Sequence, residues 1–266
     1  MTHPFFSKTR HPRVFAHRGL ASATNDNSTG PDAKNGGSTV WENTAAAFAA
    51  AHAVGAEYIE TDCRVTADGD VVLFHDETLT RLLGIDRLVA EVRTAELAEL
   101  LAPHGGLLTV SEMLEMFPDM RFNIDVKTDA AAAPLGPIVA PHSHRVLLTS
   151  FSDARRRRAV GAVMDAGAEV RPATSAGQQS MIWVRLLSML RLSPQRVLRD
   201  IDALQIPERY GRVKVLTPAL LRAAHRHDVE VHVWTVNDPE DMQRLIAAGA
   251  DGIVTDRADI AVKTLF

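Results

Sequence analysis

Hydrophobic positions along the chain fall into short runs that alternate with longer amphipathic stretches. The short runs are typical of buried strands, and several longer stretches begin at Ser, Thr or Asp and end at Gly, as helices do. The runs that predict strands are residues 13–17, 58–63, 121–126, 145–150, 169–174, 202–206, 231–236 and 252–256. Because the alternation continues without a break in composition, it favours an α/β fold, a closed (β/α)8 TIM barrel, with residues 1–266 as a single domain.

An open, doubly wound α/β sheet is the competing architecture. Sheets of that kind that bind nucleotides carry a Gly-x-Gly-x-x-Gly turn after their first strand. The sequence that follows the first predicted strand here, HRGLASATN, lacks this turn. The barrel is therefore the preferred interpretation.

One further apolar run, residues 70–76, interrupts the alternation. It follows Asp68-Gly69, a strong signal for a two-residue hairpin turn. Residues 58–76 are therefore predicted to extend beyond the C-terminal rim of the barrel, turn and return. With the turn centred between Asp68 and Gly69, Asp62 lies opposite His75 in the predicted register. This hairpin extension would return His75 to the rim.

Composition narrows the class of protein. A chain of 266 residues that is 46% hydrophobic can bury a large core. The net charge of −4 argues against a nucleic-acid partner. The N-terminal segment lacks the apolar stretch of a secretory signal, and no window is long and apolar enough to span a membrane. Together with the single Cys63, which excludes an internal disulfide, these features predict a cytoplasmic protein.

Residues 20–40 separate the first predicted strand from the first predicted helix. The segment is rich in Gly, Ser, Thr, Asn and Asp, which indicates a flexible loop insertion. A loop of this length inside a compact domain is usually functional or disordered. A lid over the barrel mouth is one interpretation, which the sequence leaves open.

Acidic residues are concentrated where predicted strands end, which is where (β/α)8 enzymes place their active sites. Glu60 and Asp62 are two apart on one strand, so both side chains point to the same side. Asp125 lies near the end of the next barrel strand. Crowded carboxylates repel unless a cation lies between them, and oxygen donors favour Mg²⁺ or Ca²⁺ over zinc. The alternative is a buried ion-pair network with nearby basic residues such as Lys127.

Two histidines are predicted to face the same cavity as these acids. His17 ends the first strand and His75 ends the hairpin. Such a pair suits acid–base chemistry at a phosphate, in which one imidazole accepts a proton and the other donates one. Arg18 and Lys127 can bind phosphate oxygens. A lone histidine at a strand end is more often structural, but two that converge on acids favour catalysis.

Six segments, taken in order, resemble the glycerophosphodiester phosphodiesterase family, of the phosphatidylinositol-phospholipase-C-like phosphodiesterase superfamily. Each segment is weak alone, but the ordered set spans residues 14–259 and is specific. The segments are FAHRG, ENTAAAF, YIETDCRVTADGDVVLFHDETLTR, FNIDVK, VHVWTVND and GADGIVTDRAD. The resemblance implies a (β/α)8 barrel that needs a divalent cation and hydrolyses glycerophosphodiesters to sn-glycerol 3-phosphate and an alcohol.

The resemblance also implies a role for each matching residue. The implied roles are acid–base catalysis for His17 and His75, phosphate binding for Arg18 and Lys127, metal binding for Glu60 and Asp62, support of the metal or of the first histidine for Glu42 and Asn43, and an apolar pocket wall for Trp234. In the implied mechanism, a glycerol hydroxyl of the substrate attacks phosphorus and expels the alcohol. Water then opens the resulting cyclic phosphate.

The chain departs from the family pattern in places that bear on its substrate and metal. Asp125 stands where the family generally has glutamate, and its shorter side chain leaves open whether it is a third direct metal ligand. The insertion at residues 20–40 is longer than usual. The segment 77–110, where many members carry a small subdomain, is short. Substrate selection is therefore expected to differ from that of the usual members.

An apolar stripe at helical spacing lies within residues 181–192. The stripe consists of Ile182, Trp183, Leu186, Leu187 and Leu190. The favoured interpretation is a barrel helix that packs this stripe against its strands. The alternative is a helix at a membrane surface, as a peripheral contact.

Three functions stay open at this point. The leading one is a metal-dependent hydrolase whose partner is a small glycerophosphodiester. The second is a lysophospholipase D-like hydrolase that acts on lysophospholipids at a membrane surface. The third is a catalytically silent barrel that binds phosphorylated ligands, for which the Asp125 departure is the best support. It ranks last because the other chemically competent residues are present.

Overall fold

The strands of the protein form a nearly closed parallel barrel. The computed structural model describes residues 3–21 and 40–266, so most of the predicted loop insertion lies outside the described residues. The strands, in chain order, are β1 (Arg13–His17), β2 (Tyr58–Val65), β3 (Val71–Leu73), β4 (Arg121–Val126), β5 (Val146–Thr149), β6 (Ala173–Thr174), β7 (Ala203–Pro207), β8 (Arg209–Tyr210), β9 (Val213–Lys214), β10 (Glu230–Trp234) and β11 (Gly252–Thr255). The order in the barrel sheet is β6-β5-β4-β2-β1-β11-β10-β7.

The two end strands of this order, β6 and β7, meet through a single bridge. Ser175 pairs with Ala203 in parallel, and the backbone N–H of Asp202 donates to the carbonyl of Thr174 over 2.9 Å. The predicted (β/α)8 fold is therefore confirmed. The hairpin extension is also present, because β3 pairs antiparallel with β2 outside the barrel.

Helices connect successive strands and cover the outside of the barrel. They are α1 (Ala45–Ala53), α2 (Thr80–Leu83), α3 (Thr94–Leu101), α4 (Val110–Met116), α5 (Leu135–Val139), α6 (Asp153–Asp165), α7 (Gln178–Met189), α8 (Gln195–Leu198), α9 (Pro218–His225), α10 (Pro239–Ala247) and α11 (Ala258–Leu265). Several begin with the side-chain caps that the sequence predicts: Thr44 accepts from the N–H of Ala47, and Ser152 from that of Arg155.

The register of the hairpin differs from the prediction by one residue. The turn spans three residues rather than two: the N–H of Thr66 donates to the carbonyl of Asp70, and Gly69 takes a left-handed φ of +96°. Asp62 therefore lies opposite Phe74, whose N–H donates to the Asp62 carbonyl over 3.1 Å. The predicted pairing of Asp62 with His75 is wrong. His75 comes after β3 ends and reaches the rim from irregular backbone.

The predicted strand 169–174 is also shorter in the structure. Only Ala173 and Thr174 are in β6. Pro172 has no N–H to donate to a neighbouring strand. The preceding Arg171 instead makes an ion pair with Asp202, with 2.6 Å between Nη1 and Oδ2. The strand prediction was therefore right in place and too long at its N-terminal end.

Helix α7 does not pack as the favoured interpretation expected. Its buried side chains are Val184 and Ser188, whereas Ile182, Trp183 and Leu186 of the predicted stripe are exposed. The prediction that the stripe packs on the strands is wrong. A helix can satisfy its barrel contacts through small and β-branched residues, and periodicity alone does not reveal which face is buried.

The N-terminal end of the barrel is plugged by aromatic side chains. A short 3₁₀ turn, Pro4–Phe6, inserts Phe5 and Phe6 beneath the barrel, where they pack with Phe15 and Tyr58. The ring centroids of Phe5 and Tyr58 are 5.2 Å apart. Because this end is filled, the barrel opens only at its opposite, C-terminal end within the described residues.

An ion pair stabilises the same end of the barrel. Arg13, at the start of β1, contacts Glu230, at the start of β10, with 3.0 Å between Nη2 and Oε1. Burial alone would raise the pKa of Glu230, but hydrogen bonds from His232 and Arg13 lower it to about 2. We expect Glu230→Gln to lower the free energy of unfolding at pH 7 by about 2–4 kcal/mol, since Arg13 would remain buried without its anionic partner.

This loss should depend on pH in a defined direction. The pKa of Glu230 in the fold lies below its ordinary value of 4.5, so its stabilisation is present above pH 4.5 and is lost as pH falls toward 2. Urea unfolding of wild type and Glu230→Gln should therefore converge in acid. The exposed Glu99→Gln serves as the control. Equal stability of wild type and Glu230→Gln at pH 7 would contradict the assignment.

Candidate active site

A cavity of about 560 Å³ opens at the C-terminal ends of the strands. Its polar end is formed by side chains from β1, β2 and β4 and from the segment after β3. The predicted site residues that line it are His17, Arg18, Glu60, Asp62, His75, Asp125, Lys127 and Trp234. Glu42 and Asn43 lie behind this lining, in contact with Arg18 and Asp62. The structure thus brings all ten predicted residues to one region.

His17 is fixed from two sides. As the last residue of β1 it pairs in register with Glu60 of β2, and its Nε2 lies 3.8 Å from Glu60 Oε2. Its Nδ1 donates to Asp256 Oδ1 over 2.6 Å. Burial lowers the pKa of His17, but the Asp256 hydrogen bond and the Glu60 charge outweigh burial, so the pKa is raised. Nε2 is therefore the ring atom turned toward the carboxylates.

Asp256 was missed by the sequence reasoning. It directly follows β11, at a strand end where a barrel places active-site groups. Its position in the GIVTD segment was the available signal. Asn237 Nδ2 donates to the second carboxylate oxygen of Asp256, Oδ2, over 2.8 Å.

Arg18 points into the site because the backbone turns sharply after β1. Arg18 takes a left-handed φ of +56°, and its N–H donates to the Glu60 carbonyl over 2.8 Å. Gly19 follows with φ +88°, and a Cβ there would lie 2.8 Å from the Ala47 backbone. The turn therefore requires glycine at this position, and strained backbone of this kind is typical of functional sites.

A chain of ion pairs connects Arg18, which follows β1, with His75, which follows β3. Glu42 accepts from Arg18 Nη1 over 3.0 Å and from Arg81 Nη2 over 2.6 Å. Arg81 also contacts Asp76, whose Oδ1 accepts from His75 Nδ1 over 2.7 Å. Glu42 therefore supports Arg18 and, through Arg81, the second histidine. The implied support of the metal or of the first histidine by Glu42 stays a prediction.

Asn43 connects the loop before α1 to β2. Its Oδ1 accepts from Thr61 Oγ1 over 2.7 Å, and its Nδ2 lies 3.5 Å from Asp62 Oδ2. Like Arg18, it has a left-handed φ of +56°. Its amide therefore orients Asp62, which is consistent with a supporting role.

The carboxylates of Glu60, Asp62 and Asp125 are compensated unequally by nearby cations. Lys127 Nζ lies 2.9 Å from Asp62 Oδ1 and 2.6 Å from Asp125 Oδ2. Asp62 also lies 3.1 Å from Arg18 Nε. Burial alone would raise the pKa of Asp62, but Lys127 and Arg18 lower it to about 2. Both carboxylate oxygens of Asp62 are thus paired with cations.

Glu60 and Asp125 are less well compensated. Burial, together with the Asp62 charge, raises the pKa of Glu60 to about 7. Burial likewise raises the pKa of Asp125, despite Lys127. Among the described residues, neither Glu60 Oε2 nor Asp125 Oδ1 has a hydrogen-bond partner, although both atoms are buried. Buried, unpaired carboxylate oxygens are costly without a compensating charge.

These oxygens bear on the predicted metal site. Within residues 3–21 and 40–266, no three His, Cys, Asp or Glu side chains are arranged as a metal-binding group as they stand. The available donors are nevertheless all carboxylate oxygens, which suit a hard cation such as Mg²⁺ or Ca²⁺. The donor set therefore fits such an ion, and Glu60, Asp62 and Asp125 stay its predicted ligands.

His75 faces the carboxylates from the hairpin side. Burial lowers its pKa, and the nearby Arg18 and Lys127 act in the same direction, whereas Asp62 opposes them. Its carbonyl accepts from Arg64 Nε over 2.9 Å, which fixes the backbone beyond β3. His75 is therefore positioned by contacts on both its ring and its backbone.

The other wall of the cavity is largely apolar. Trp234, at the end of β10, packs edge to face against Phe151, with ring centroids 6.3 Å apart. Met181 and Ile182 of α7 and Val215 complete much of this wall. The cavity therefore joins a charged end, suited to phosphate, to an apolar end nearer solvent.

The sequence profile described as the Glycerophosphoryl diester phosphodiesterase family matches residues 17–260, a span that includes every site residue described above. The chain belongs to this family. It is 39% identical over 227 residues to probable glycerophosphodiester phosphodiesterase 2 of Mycobacterium tuberculosis, which covers 82% of this chain and 83% of that relative. It is also 25% identical over 255 residues to lysophospholipase D GDPD1 of Homo sapiens, over 81% and 79% of the two chains.

Solved structures support the same membership. The glycerophosphodiester phosphodiesterase of Thermotoga maritima superposes with a TM-score of 0.71 at 27% identity, over 96% of this chain and 99% of that one. As a member of the glycerophosphoryl diester phosphodiesterase family, the protein is a phosphodiesterase, and the predicted enzyme class is confirmed. The family generally uses divalent cations. No helix in the described residues has the length and apolar character needed to cross a membrane.

Proposed function

We propose that the protein hydrolyses glycerophosphodiesters to sn-glycerol 3-phosphate and an alcohol, with His17 and His75 as the acid–base pair. The observation that carries this proposal is that both imidazoles line one cavity. Buried carboxylates and two cationic side chains lie in the same cavity. The family membership and the name of the Mycobacterium tuberculosis relative support the substrate class.

Arg18 and Lys127 bind the phosphate oxygens in this proposal. Both are cationic and largely buried at the charged end of the cavity, and both already contact Asp62. A phosphate that enters there would exchange part of these contacts for its own oxygens, in Arg18's case through a planar fork. The phosphorus atom would then lie near the two imidazoles.

One imidazole accepts the proton of the glycerol hydroxyl as its oxygen bonds to phosphorus. The other donates a proton to the departing alcohol oxygen as its P–O bond breaks. Water then attacks the cyclic phosphate with the two roles exchanged. Asp256 and Asp76 hold Nδ1 of His17 and of His75, respectively, so in each ring Nε2 is the atom available for proton transfer.

A divalent cation, Mg²⁺ or Ca²⁺, would be held by Glu60 and Asp62, with Asp125 as the third donor. Bound there, the ion would neutralise negative charge that develops on oxygen and would lower the pKa of a coordinated hydroxyl. Lys127 Nζ contacts the carboxylates of both Asp62 and Asp125. It would therefore also keep these ligands in place.

A lysophospholipid substrate is the second candidate, because the outer wall of the cavity is apolar. An acyl chain, which a small glycerophosphodiester lacks, would pack against Phe151, Ile182 and Trp234. The human relative is named a lysophospholipase D. The charged end of the cavity would perform the same chemistry on either substrate.

Turnover of dissolved glycerophosphocholine beside lysophosphatidylcholine tests the proposal. We expect release of choline and sn-glycerol 3-phosphate from glycerophosphocholine, with the larger kcat/KM of the two substrates. Release of choline from lysophosphatidylcholine alone would move the assignment to the second candidate. Absence of turnover on both, with metal supplied, would contradict both candidate substrates.

A further inference from the structure

An exposed apolar surface surrounds the cavity mouth. We call it the rim surface and define it as Phe151, residues 182–186 of α7, and residues 209–214 of the β8–β9 hairpin. Its largest exposures are Tyr210 at 76%, Phe151 at 63% and Ile182 at 59%. Further exposed members are Trp183, Leu186 and Val213. Large apolar side chains that gather on one exposed face indicate an interaction site.

The rim surface is continuous with the cavity. Phe151, Ile182, Tyr210 and Val213 belong to both, since they are exposed and also line the cavity wall. Within the described residues, these side chains therefore line a route from solvent to the charged end of the cavity. A small, polar phosphodiester gains nothing from an apolar entrance, so the entrance serves a contact of another kind.

The charge of the rim surface differs in sign from that of the whole chain. Residues 182–186 contain Arg185, and residues 209–214 contain Arg209, Arg212 and Lys214, with no acidic residue in either segment. The whole chain carries a net charge of −4. The three basic residues of the hairpin are exposed. Apolar side chains flanked by basic ones match the surface of an anionic bilayer.

We propose that the rim surface docks on a bilayer that contains anionic phospholipids. The apolar side chains enter the interface, and the basic side chains contact the head groups. The inference rests on the proposed function, because the surface opens onto the same cavity, and it deepens that function by naming where the enzyme meets its substrates. A second copy of the chain fits less well, since a two-fold contact would bring the same four positive charges together.

Sedimentation of the full chain with vesicles tests the docking. We expect binding to vesicles of phosphatidylcholine with a minority of phosphatidylglycerol, and much weaker binding to phosphatidylcholine alone. The triple variant Ile182→Ser, Trp183→Ser and Leu186→Ser should bind at least about tenfold more weakly. The pair Arg212→Glu and Lys214→Glu should lose about tenfold or more, as should wild type at high salt.

A matched pair of charge reversals controls for net charge. Arg226→Glu and Lys263→Glu change the net charge equally but lie at the C-terminal ends of their helices, on the opposite end of the barrel. This variant should bind vesicles as wild type does. Far-UV circular dichroism and thermal midpoints verify that each variant is folded. A blue shift of tryptophan emission on vesicle addition should be lost in Trp183→Phe.

Several results would overturn the docking proposal. Equal binding to neutral and anionic vesicles, full binding by the serine variant, or equal loss in the control pair would each do so. A stable dimer in light scattering that the serine variant abolishes would assign the surface to a second copy instead. Hydrolysis of dissolved glycerophosphocholine is measured separately, so failure of the proposed function and failure of docking are distinguishable.

Discussion

Replacement of His75 by alanine should lower kcat on glycerophosphocholine by about 10²- to 10⁴-fold, the range typical for loss of a general acid or base. The His75 side chain is 33% exposed, and its ring hydrogen bond is to the adjacent Asp76. The substitution should therefore leave the barrel folded. Affinity for sn-glycerol 3-phosphate should change little, because Arg18 and Lys127 are assigned the phosphate contacts. Steady-state kinetics and product titration check both statements.

The exposed His144→Ala is the matched control and should retain wild-type kcat. A substrate with a nitrophenol leaving group then separates the two imidazole roles. A variant that lacks the general acid should recover much of its rate on this substrate, since a good leaving group needs no proton. A variant that lacks the base should not. Near-normal kcat for both His75→Ala and His17→Ala would contradict acid–base catalysis by this pair.

The barrel was predictable because hydrophobic residues are spaced differently in strands and in helices. Each of the eight predicted strands is present, and the capping residues Thr44 and Ser152 begin helices as predicted. The hairpin register was not predictable from Asp68-Gly69 alone. That dipeptide fits both a two-residue turn and the end of a three-residue turn, and the structure has the second.

The candidate site was predictable to the extent that strand ends converge. Register places His17 beside Glu60, and Asp62 beside Asp125, as neighbouring parallel strands require. The partners of these residues were harder to find, because they come from distant loops. Asp256 follows the last strand, and Arg81 comes from α2, a short helix without a strong sequence pattern.

The exposure of the α7 stripe shows a further limit of sequence reasoning. An apolar stripe predicts that one face of a helix makes an apolar contact. It does not indicate whether that contact is with the barrel or with a partner outside the protein. In this protein Val184 and Ser188 are the buried residues of α7. The sequence left open whether the stripe packs on the strands or lies at a membrane surface. Deciding between the two requires the direction of each side chain, which only the structure gives.

Removal of divalent cations should abolish turnover, and Mg²⁺ or Ca²⁺ should restore it. Metal ions at phosphoryl oxygens supply several kcal/mol of transition-state stabilisation, so a loss of about 10²- to 10⁴-fold in kcat is expected. The Glu60 and Asp125 oxygens that lack partners among the described residues are the groups that such an ion would satisfy. Full activity after exhaustive chelation would remove the metal from the proposal.

Thermal unfolding gives a second readout that does not depend on turnover. At a metal concentration of 100 times Kd, the folded state gains about 2.7 kcal/mol, which for a chain of this size raises Tm by about 5–10 °C. Glu60→Gln should lose most of this rise, whereas Glu99→Gln should keep it. In chelated protein, Glu60→Gln should not lower Tm, because the change replaces a buried charge and Oε2 accepts no hydrogen bond among the described residues. A metal-induced rise that Glu60→Gln retains in full would place the ion on other ligands.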